Sequence, residues 1–245
     1  MRSDTIEDTM NKTVHRADTR GYADHGWLKT NHTFSFASYM NPERMGFGKL
    51  RVLNDDIVEG GMGFGTHPHN NMEIISIPIY GSMRHKDSTG HEGVISGNEV
   101  QVMSAGSGVY HSEYNGSDSE DMNFLQIWIM PKEMNIEPHY DQKSFDPAGQ
   151  ENRFQTVAGP NTGNGSLWIN QDAFVSLANI SEGEEIDYEI QHEGNGVYAF
   201  VIEGSINAAG ETLGRRDAIG LSGTKSVSFK ANEDARILAI EVPMN

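Results

Sequence analysis

Ile77-Pro78-Ile79-Tyr80-Gly81-Ser82-Met83 returns in altered form as Phe200-Val201-Ile202-Glu203-Gly204-Ser205-Ile206. Each reads as a strand that closes at Gly-Ser and resumes on an apolar residue. Farther along, Val102-Met103-Ser104-Ala105-Gly106 has a counterpart in Ile219-Gly220-Leu221-Ser222-Gly223, again a strand running into a small-residue turn. The chain therefore carries two distant copies of one unit, and an internal repeat defines an architecture where composition alone does not. Between Asp141 and Ser166 the sequence turns polar, with Asp-Pro at 146, Gly-Pro at 159 and the run Asn161-Thr162-Gly163-Asn164-Gly165. The boundary between the halves is placed there. A polar tail over residues 1–12, a first domain over 13–140 and a second over 141–245 follow as the expected organisation.

The apolar runs on either side are short, rich in Val, Ile and aromatics, and punctuated by Gly, Asn and Asp, which is the pattern of strands. Lys49–Val58, Met72–Tyr80, Glu99–Met103, Asn123–Met130, Phe174–Ile180, Val197–Glu203 and Arg236–Val242 are the strongest of them. No long stretch keeps a helical period. The 27 glycines suit a turn-dense all-β protein, where many loop positions need positive φ.

Bulk properties exclude several chemistries. The 245 residues contain no cysteine, so thiolate nucleophiles, iron–sulfur clusters and disulfide frameworks are absent, and any metal is held by nitrogen and oxygen. A net charge of -17 repels phosphate backbones and anionic lipid, which argues against direct nucleic-acid or membrane partners. The stretch Met1 to Lys12 has no apolar core of a secretion signal, and no run approaches the ~20 apolar residues of a membrane span. A cytoplasmic protein is expected. Gly-x-Ser-x-Gly, Walker and dinucleotide-binding glycine patterns are missing, which removes hydrolase, nucleotide and nicotinamide readings.

Two phrases carry the chemistry: His67-Pro68-His69 and His111-Ser112-Glu113. Side chains alternate faces along a strand, so residues two apart project the same way. Two such strands facing each other offer three imidazoles and one carboxylate to a single point. Pro68 is the weak element of that reading, since proline in a strand is confined to edges and bulges. Stepping back fourteen and twelve residues from Gly81 reaches His67 and His69, and the same steps from Gly204 reach Ile190 and His192. Stepping five and seven forward from Gly106 reaches His111 and Glu113, and from Gly223, Ser228 and Lys230. The second copy thus reads as a partner without a ligand set.

At this point the sequence resembles a known family. Gly61-x5-His67-x-His69-x3-Glu73, then Gly81, followed by Gly106-x4-His111-x3-Asn115, is similar to the two motifs of the cupin superfamily. His32-Thr33-Phe34-Ser35-Phe36-Ala37, Gly63-Phe64-Gly65-Thr66-His67-Pro68-His69 and Met103-Ser104-Ala105-Gly106 resemble the pirin family, and most of all its bacterial quercetin 2,3-dioxygenase-like members. Two features depart from the general cupin pattern and are shared with pirins. Seven residues separate Glu73 from Gly81, and Ser104-Ala105-Gly106 stands where a proline is usual.

The resemblance implies a bicupin: two β-barrel or jelly-roll domains packed together, with few short helices. It implies His67, His69, His111 and Glu113 as ligands of one divalent transition metal ion, with iron first and nickel, copper, manganese or zinc as alternatives. Such a donor set suits these ions and leaves up to two positions open on an octahedral centre. The implied activity is cleavage of the central ring of a flavonol such as quercetin by O2, with carbon monoxide and a depside as products. The implied alternative is a metal-binding, redox-sensing regulator acting through a protein partner. Glu113 is read both as ligand and as the catalytic base that takes the substrate's hydroxyl proton. Glu73 is read as an outer hydrogen-bond acceptor that fixes a histidine tautomer. His25, His32, His85, His91 and His139 lack such pairing and are read as surface or structural. Phe34, Phe36, Met45, Phe47, Phe64, Met103 and Trp128 line a pocket or fill the core, and the sequence does not name the substrate-binding residues. Two fused barrels make a monomer the expectation.

Overall fold

The computed structural model describes residues 10–245, and there the apolar runs become strands. β1 (Asn11–His15) precedes a first barrel of β2 (Gly21–Asp24), β3 (Leu28–His32), β4 (Leu50–Val58), β5 (Gly63–His69), β6 (Glu73–Tyr80), β7 (Ser82–Asp87), β8 (Glu92–Ser96), β9 (Glu99–Ser104), β10 (Val109–Asn115), β11 (Met122–Ile129) and β12 (His139–Ser144). The second barrel comprises β13 (Gln155–Gly159), β14 (Leu167–Trp168), β15 (Phe174–Ile180), β16 (Glu185–Glu189), β17 (Asn195–Glu203), β18 (Ile206–Ala208), β19 (Glu211–Leu213), β20 (Ala218–Ser222), β21 (Ser226–Ala231) and β22 (Ala235–Pro243). Among the described residues the helical segments are two single 3-10 turns, Ala17–Thr19 and Pro147–Gln150, and no helix is long and apolar enough to cross a membrane.

Each barrel combines a seven-stranded sheet with a four-stranded one. The first has the orders β12-β9-β6-β11-β4-β3-β2 and β5-β10-β7-β8, the second β1-β20-β17-β22-β15-β13-β14 and β16-β21-β18-β19. Set side by side, β9, β6, β11 and β4 match β20, β17, β22 and β15, and each member of the small sheets has its partner. The repeat seen in the sequence is thus a repeat of topology. Gly81 and Gly204 mark the matching corners, with φ of 76° and 80°, where a residue bearing Cβ is strained.

One strand crosses from the N-terminal segment to the second barrel. β1 lies against β20, from Asn11↔Ser222 to His15↔Ala218, so the segment that precedes the first barrel closes the second. Lys12 and Arg16 fasten it through ion pairs to Glu211 and Asp217. The expected division of the chain at 12 and 140 therefore does not follow the sheets. Residues 11–15 belong with the second barrel, and the first barrel's sheet continues to Ser144 through the pairing of β12 with β9. The physical reason is that β20 and β9 would otherwise expose unpaired edges. Of the expected tail, residues 1–9 lie outside the described residues.

The outer faces of the two large sheets pack on each other. Leu53, Ile75, Ile127 and Leu125 from the first meet Val175, Tyr198, Phe200 and Leu238 from the second in one continuous buried cluster. The interiors differ in kind. The second barrel is filled by Ile186, Tyr188, Val197, Val201, Val227 and Phe229. The first buries Thr30, Asn54, Asp56, Ser76, Gln101 and Gln126 beside apolar residues such as Met83, Met122, Phe124 and Met103, a polar lining that needs a purpose.

Candidate metal centre

The small sheet of the first barrel positions the site. β5 is its edge strand, so Pro68, which has no N–H to donate, is accommodated between His67 and His69. β10 alternates Val109, His111, Glu113 and Asn115 inward. His111 lies opposite His67, and the register with β5 then shifts so that Glu113 faces Phe64. The strands approach closely beyond that bulge. A Cβ on Gly63 would stand 2.4 Å from the carbonyl oxygen of Glu113, so only glycine fits.

Three imidazoles converge there. Ring centroids are 4.8 Å apart for His67 and His69, 4.5 Å for His67 and His111, and 4.9 Å for His69 and His111. One ligand nitrogen from each lies within 4.8 Å of the others. His67 donates from Nδ1 to the Gly65 carbonyl at 2.8 Å, which leaves its Nε2 lone pair free. His67 and His69 are half-buried, whereas His111 and Glu113 are buried, so the site opens toward solvent on the β5 side.

Electrostatics prepare these groups for a cation. Burial, followed by the neighbouring His67 and His69, pushes the His111 imidazole down to about 2. Burial and then His67 lower His69 to about 4. Both rings are neutral at physiological pH and offer lone pairs. Burial raises the Glu113 carboxyl to about 7, against hydrogen bonds from Gln126 (3.0 Å) and Ser76 (3.5 Å) that pull it down. Neither nitrogen of buried His111 has a hydrogen-bond partner. An unsatisfied buried imidazole among other lone pairs is costly, and a bound cation resolves that cost. The donor set of nitrogens with one carboxylate fits a divalent transition ion.

Glu113 belongs instead to a second cluster, which shares His111 with the first. Its carboxylate, His111 and His85 place one ligand atom each within 4.8 Å of one another, all three side chains being buried. His85, read from the sequence as a surface or structural residue, thus faces the site. The alternation of Met83, His85 and Asp87 inward along β7 from the Gly81 corner places it there, and that period-two pattern is the signal in the sequence that marks it.

Glu73 takes a different part from the one expected. Opposite Ser104 in the β6–β9 register, it accepts from Ser104 Oγ at 2.5 Å and from the backbone N–H of Asn170 at 3.0 Å. The first bond stays within the first barrel, the second reaches the segment before β15 of the second barrel, and neither goes to a histidine, so Glu73 ties the two domains together. The other histidines sit apart. His32 is bonded to Asn54, His139 packs on Trp168, His91 stacks on Tyr140, and His25 is exposed. Phe34 and Phe47 pack on Tyr198 between the barrels and Phe64 on Trp27. Trp128 alone of the aromatic set meets a site histidine, 4.9 Å from His69, with Phe36 against it at 5.3 Å.

Register shows what the second barrel does with the same positions. Asn115 pairs with Met83 and Ala231 with Ile206, which are the matching residues after the two glycine corners. Glu113 then corresponds to Phe229, His111 to Val227 and His85 to Ala208. The expected counterparts Ser228 and Lys230 are one residue out of phase, and both point outward. The turn after β20 is one residue shorter than that after β9, and a shift of one reverses every side chain.

A pair of fused jelly-roll barrels, one with histidines and an acid at the mouth of its small sheet, defines a bicupin. The chain belongs to the pirin family. The Pirin family model matches residues 13–129, and the model for the quercetinase C-terminal cupin domain matches 156–242. The chain is 39% identical over 230 residues to the quercetin 2,3-dioxygenase of Escherichia coli K12, covering 94% of this chain and 98% of that one. The crystal structure of YhhW from Escherichia coli superposes with a TM-score of 0.92 at 39% identity, covering 96% of this chain and 99% of that one. The bacterial pirin YhhW in complex with nickel(II) superposes at 0.90, with 37% identity and coverage of 96% and 100%.

Proposed function

We propose that this protein is a metal-dependent dioxygenase that opens the central ring of flavonols such as quercetin. The observation that carries the reading is the convergence of the His67, His69 and His111 imidazoles, with the buried carboxylate of Glu113, raised by burial to about 7, clustered with His111. The name of the Escherichia coli relative supports the substrate class. His67, His69, His111 and Glu113 would hold one divalent ion. Iron is our first assignment, and the nickel complex of YhhW supports the same divalent chemistry. When bound, the ion supplies Lewis acidity that favours the ionised form of a coordinated hydroxyl and brings electron density to the ring.

The protein's own groups do the rest. Glu113, poised near 7, takes the proton of the flavonol 3-hydroxyl: the substrate O–H bond breaks and a carboxyl O–H forms. Gln126 and Ser76 hold that carboxylate in place while it is charged. Trp128 and Phe36 beside His69 offer a planar polyphenol an apolar wall. Flavonol plus O2 balances depside plus carbon monoxide, so no external reductant is consumed. The packed interface between the barrels supports a monomer, and the acidic composition supports a cytoplasmic protein without nucleic-acid or membrane partners.

The test is oxygen uptake on an electrode, with carbon monoxide trapped in parallel, for protein loaded separately with iron, nickel or copper. Metal-dependent consumption of O2 and quercetin in equal amounts, lost in His69→Ala, is the expected result. Binding of quercetin without O2 uptake in every loaded form would favour the regulatory alternative.

A further inference from the structure

His85 is the buried imidazole for which the reading above has no use. It lies on β7 directly opposite Glu113, and its neighbour Asp87 lies opposite His111. The ring is 1% exposed. Its Nε2 stands 3.1 Å from Asp87 Oδ2, and Asp87 is further tied by Thr89 Oγ1 at 2.7 Å and by the backbone N–H groups of Thr89 and His91. A carboxylate that accepts this many hydrogen bonds is an acceptor toward His85 as well. His85 therefore carries its proton on Nε2 and keeps a lone pair on Nδ1.

That lone pair has no partner. Nδ1 is buried without a hydrogen bond, and so are both nitrogens of His111, whose ring centroid is 5.3 Å away. The face of the His85 ring is stacked on Tyr140 at 4.5 Å, which in turn stacks on His91 at 5.1 Å, so the imidazole is held in one orientation. A carboxylate holding one nitrogen of a fixed imidazole, with the other free, is the arrangement that orients histidine ligands of metals. The spread of 4.8 Å among the donors of His85, His111 and Glu113 needs only a small closure, since two donors on one ion with bonds of about 2.0–2.2 Å stand at most about 4.4 Å apart. The second barrel supplies a contrast: where His111 and Glu113 are replaced by Val227 and Phe229, the position of His85 holds Ala208. The three positions differ together.

We propose that His85 is a further nitrogen donor to the metal centre, sharing the ion with His111 and Glu113 and oriented by Asp87. The inference rests on the metal reading of the previous subsection. With it, the buried His85, His111 and Glu113 would hold the ion from inside the barrel, and the half-buried His67 and His69 would hold it from the solvent side. Asp87 is a positioning residue.

Copper(II) serves as the probe, because its EPR spectrum reports the nitrogens bound to it. Wild type, His85→Gln, Asp87→Asn and His69→Ala are titrated against a competing chelator, and each copper-loaded form is examined by EPR, with circular dichroism as the folding control. His85→Gln is expected to weaken copper binding at least tenfold and to change the nitrogen hyperfine pattern. Asp87→Asn is expected to weaken binding less and to shift the same spectrum. Should His85→Gln fail to fold, His85→Phe keeps a ring against Tyr140 and carries the same expectation. Affinity within twofold of wild type together with an unchanged spectrum would overturn the proposal and leave the metal reading standing. A wild type that takes up no copper, and does not differ from His69→Ala, would overturn the metal reading and this inference with it.

Discussion

Gln126 Nε2 donates to Glu113 Oε2 at 3.0 Å, an amide from the large sheet reaching across the barrel to an acid of the small sheet's inner face. The bond holds the carboxylate where burial alone would keep it protonated. Gln126→Leu removes the donor and keeps similar bulk. The account predicts a further rise in the Glu113 pKa and an activity profile displaced to higher pH, with the fold intact. A pH series of quercetin turnover in both proteins checks this.

Glu113 also couples stability to pH in the metal-free protein. Its carboxyl is at about 7 in the folded state against 4.5 for the free group, so folding favours the protonated form. Stability from this group is complete below about 4.5 and is lost as pH rises through 7, at most roughly 3 kcal/mol. His111 runs the other way: lowered from 6.5 to about 2, it costs stability as pH falls below 6.5. Urea unfolding of metal-free Glu113→Gln is expected to show a smaller loss between pH 5 and 8 than wild type. Added divalent metal should stabilise wild type increasingly over the same window, because binding needs the ionised carboxylate.

Asp55 joins the two barrels through Arg216. The guanidinium Nε is 2.9 Å from Asp55 Oδ2 and its Nη2 donates to Asn123 at 3.1 Å, with both charged side chains nearly inaccessible to solvent. Arg20 stands 3.4 Å from the same carboxylate oxygen. Arg216→Met is expected to cost about 3 kcal/mol, since it leaves a buried acid short of a partner. Arg216→Met with Asp55→Asn should cost less than the two single changes added together. Denaturant titration of the three variants measures both.

Glu73 lies four residues after His69 of the candidate metal site, yet it bonds across the domain junction to Asn170. Glu73→Gln is expected to lower stability by about 1–3 kcal/mol through its bonds to Ser104 and Asn170, and to leave metal content unchanged. Elemental analysis beside thermal unfolding separates these effects. Loss of metal at full stability would return Glu73 to the role read from the sequence.

The strands were legible because each apolar run is bracketed by residues that stop it. Phe174–Ile180 has the same bounds in sequence and structure, and Lys49–Val58 differs by one residue. Convergence of His67, His69 and His111 followed from alternation along two strands. What failed to show was long-range. Asn11–His15 contains one aliphatic residue, and nothing local says that its partner is β20, more than two hundred residues away. The inward places of β21 hinge on one residue in the preceding turn, which spacing counted from Gly223 does not register. Alternation along β7 turns His85 inward, and only its pairing with Glu113 reveals what it faces.

The central claim is that His67, His69, His111 and Glu113 grip a single ion. Anomalous scattering from crystals of the nickel-loaded protein tests it most directly. The account predicts one peak per chain, in the first barrel, within bonding distance of all four groups and absent from His69→Ala crystals. A peak elsewhere, or no peak in protein that turns over quercetin, would contradict it.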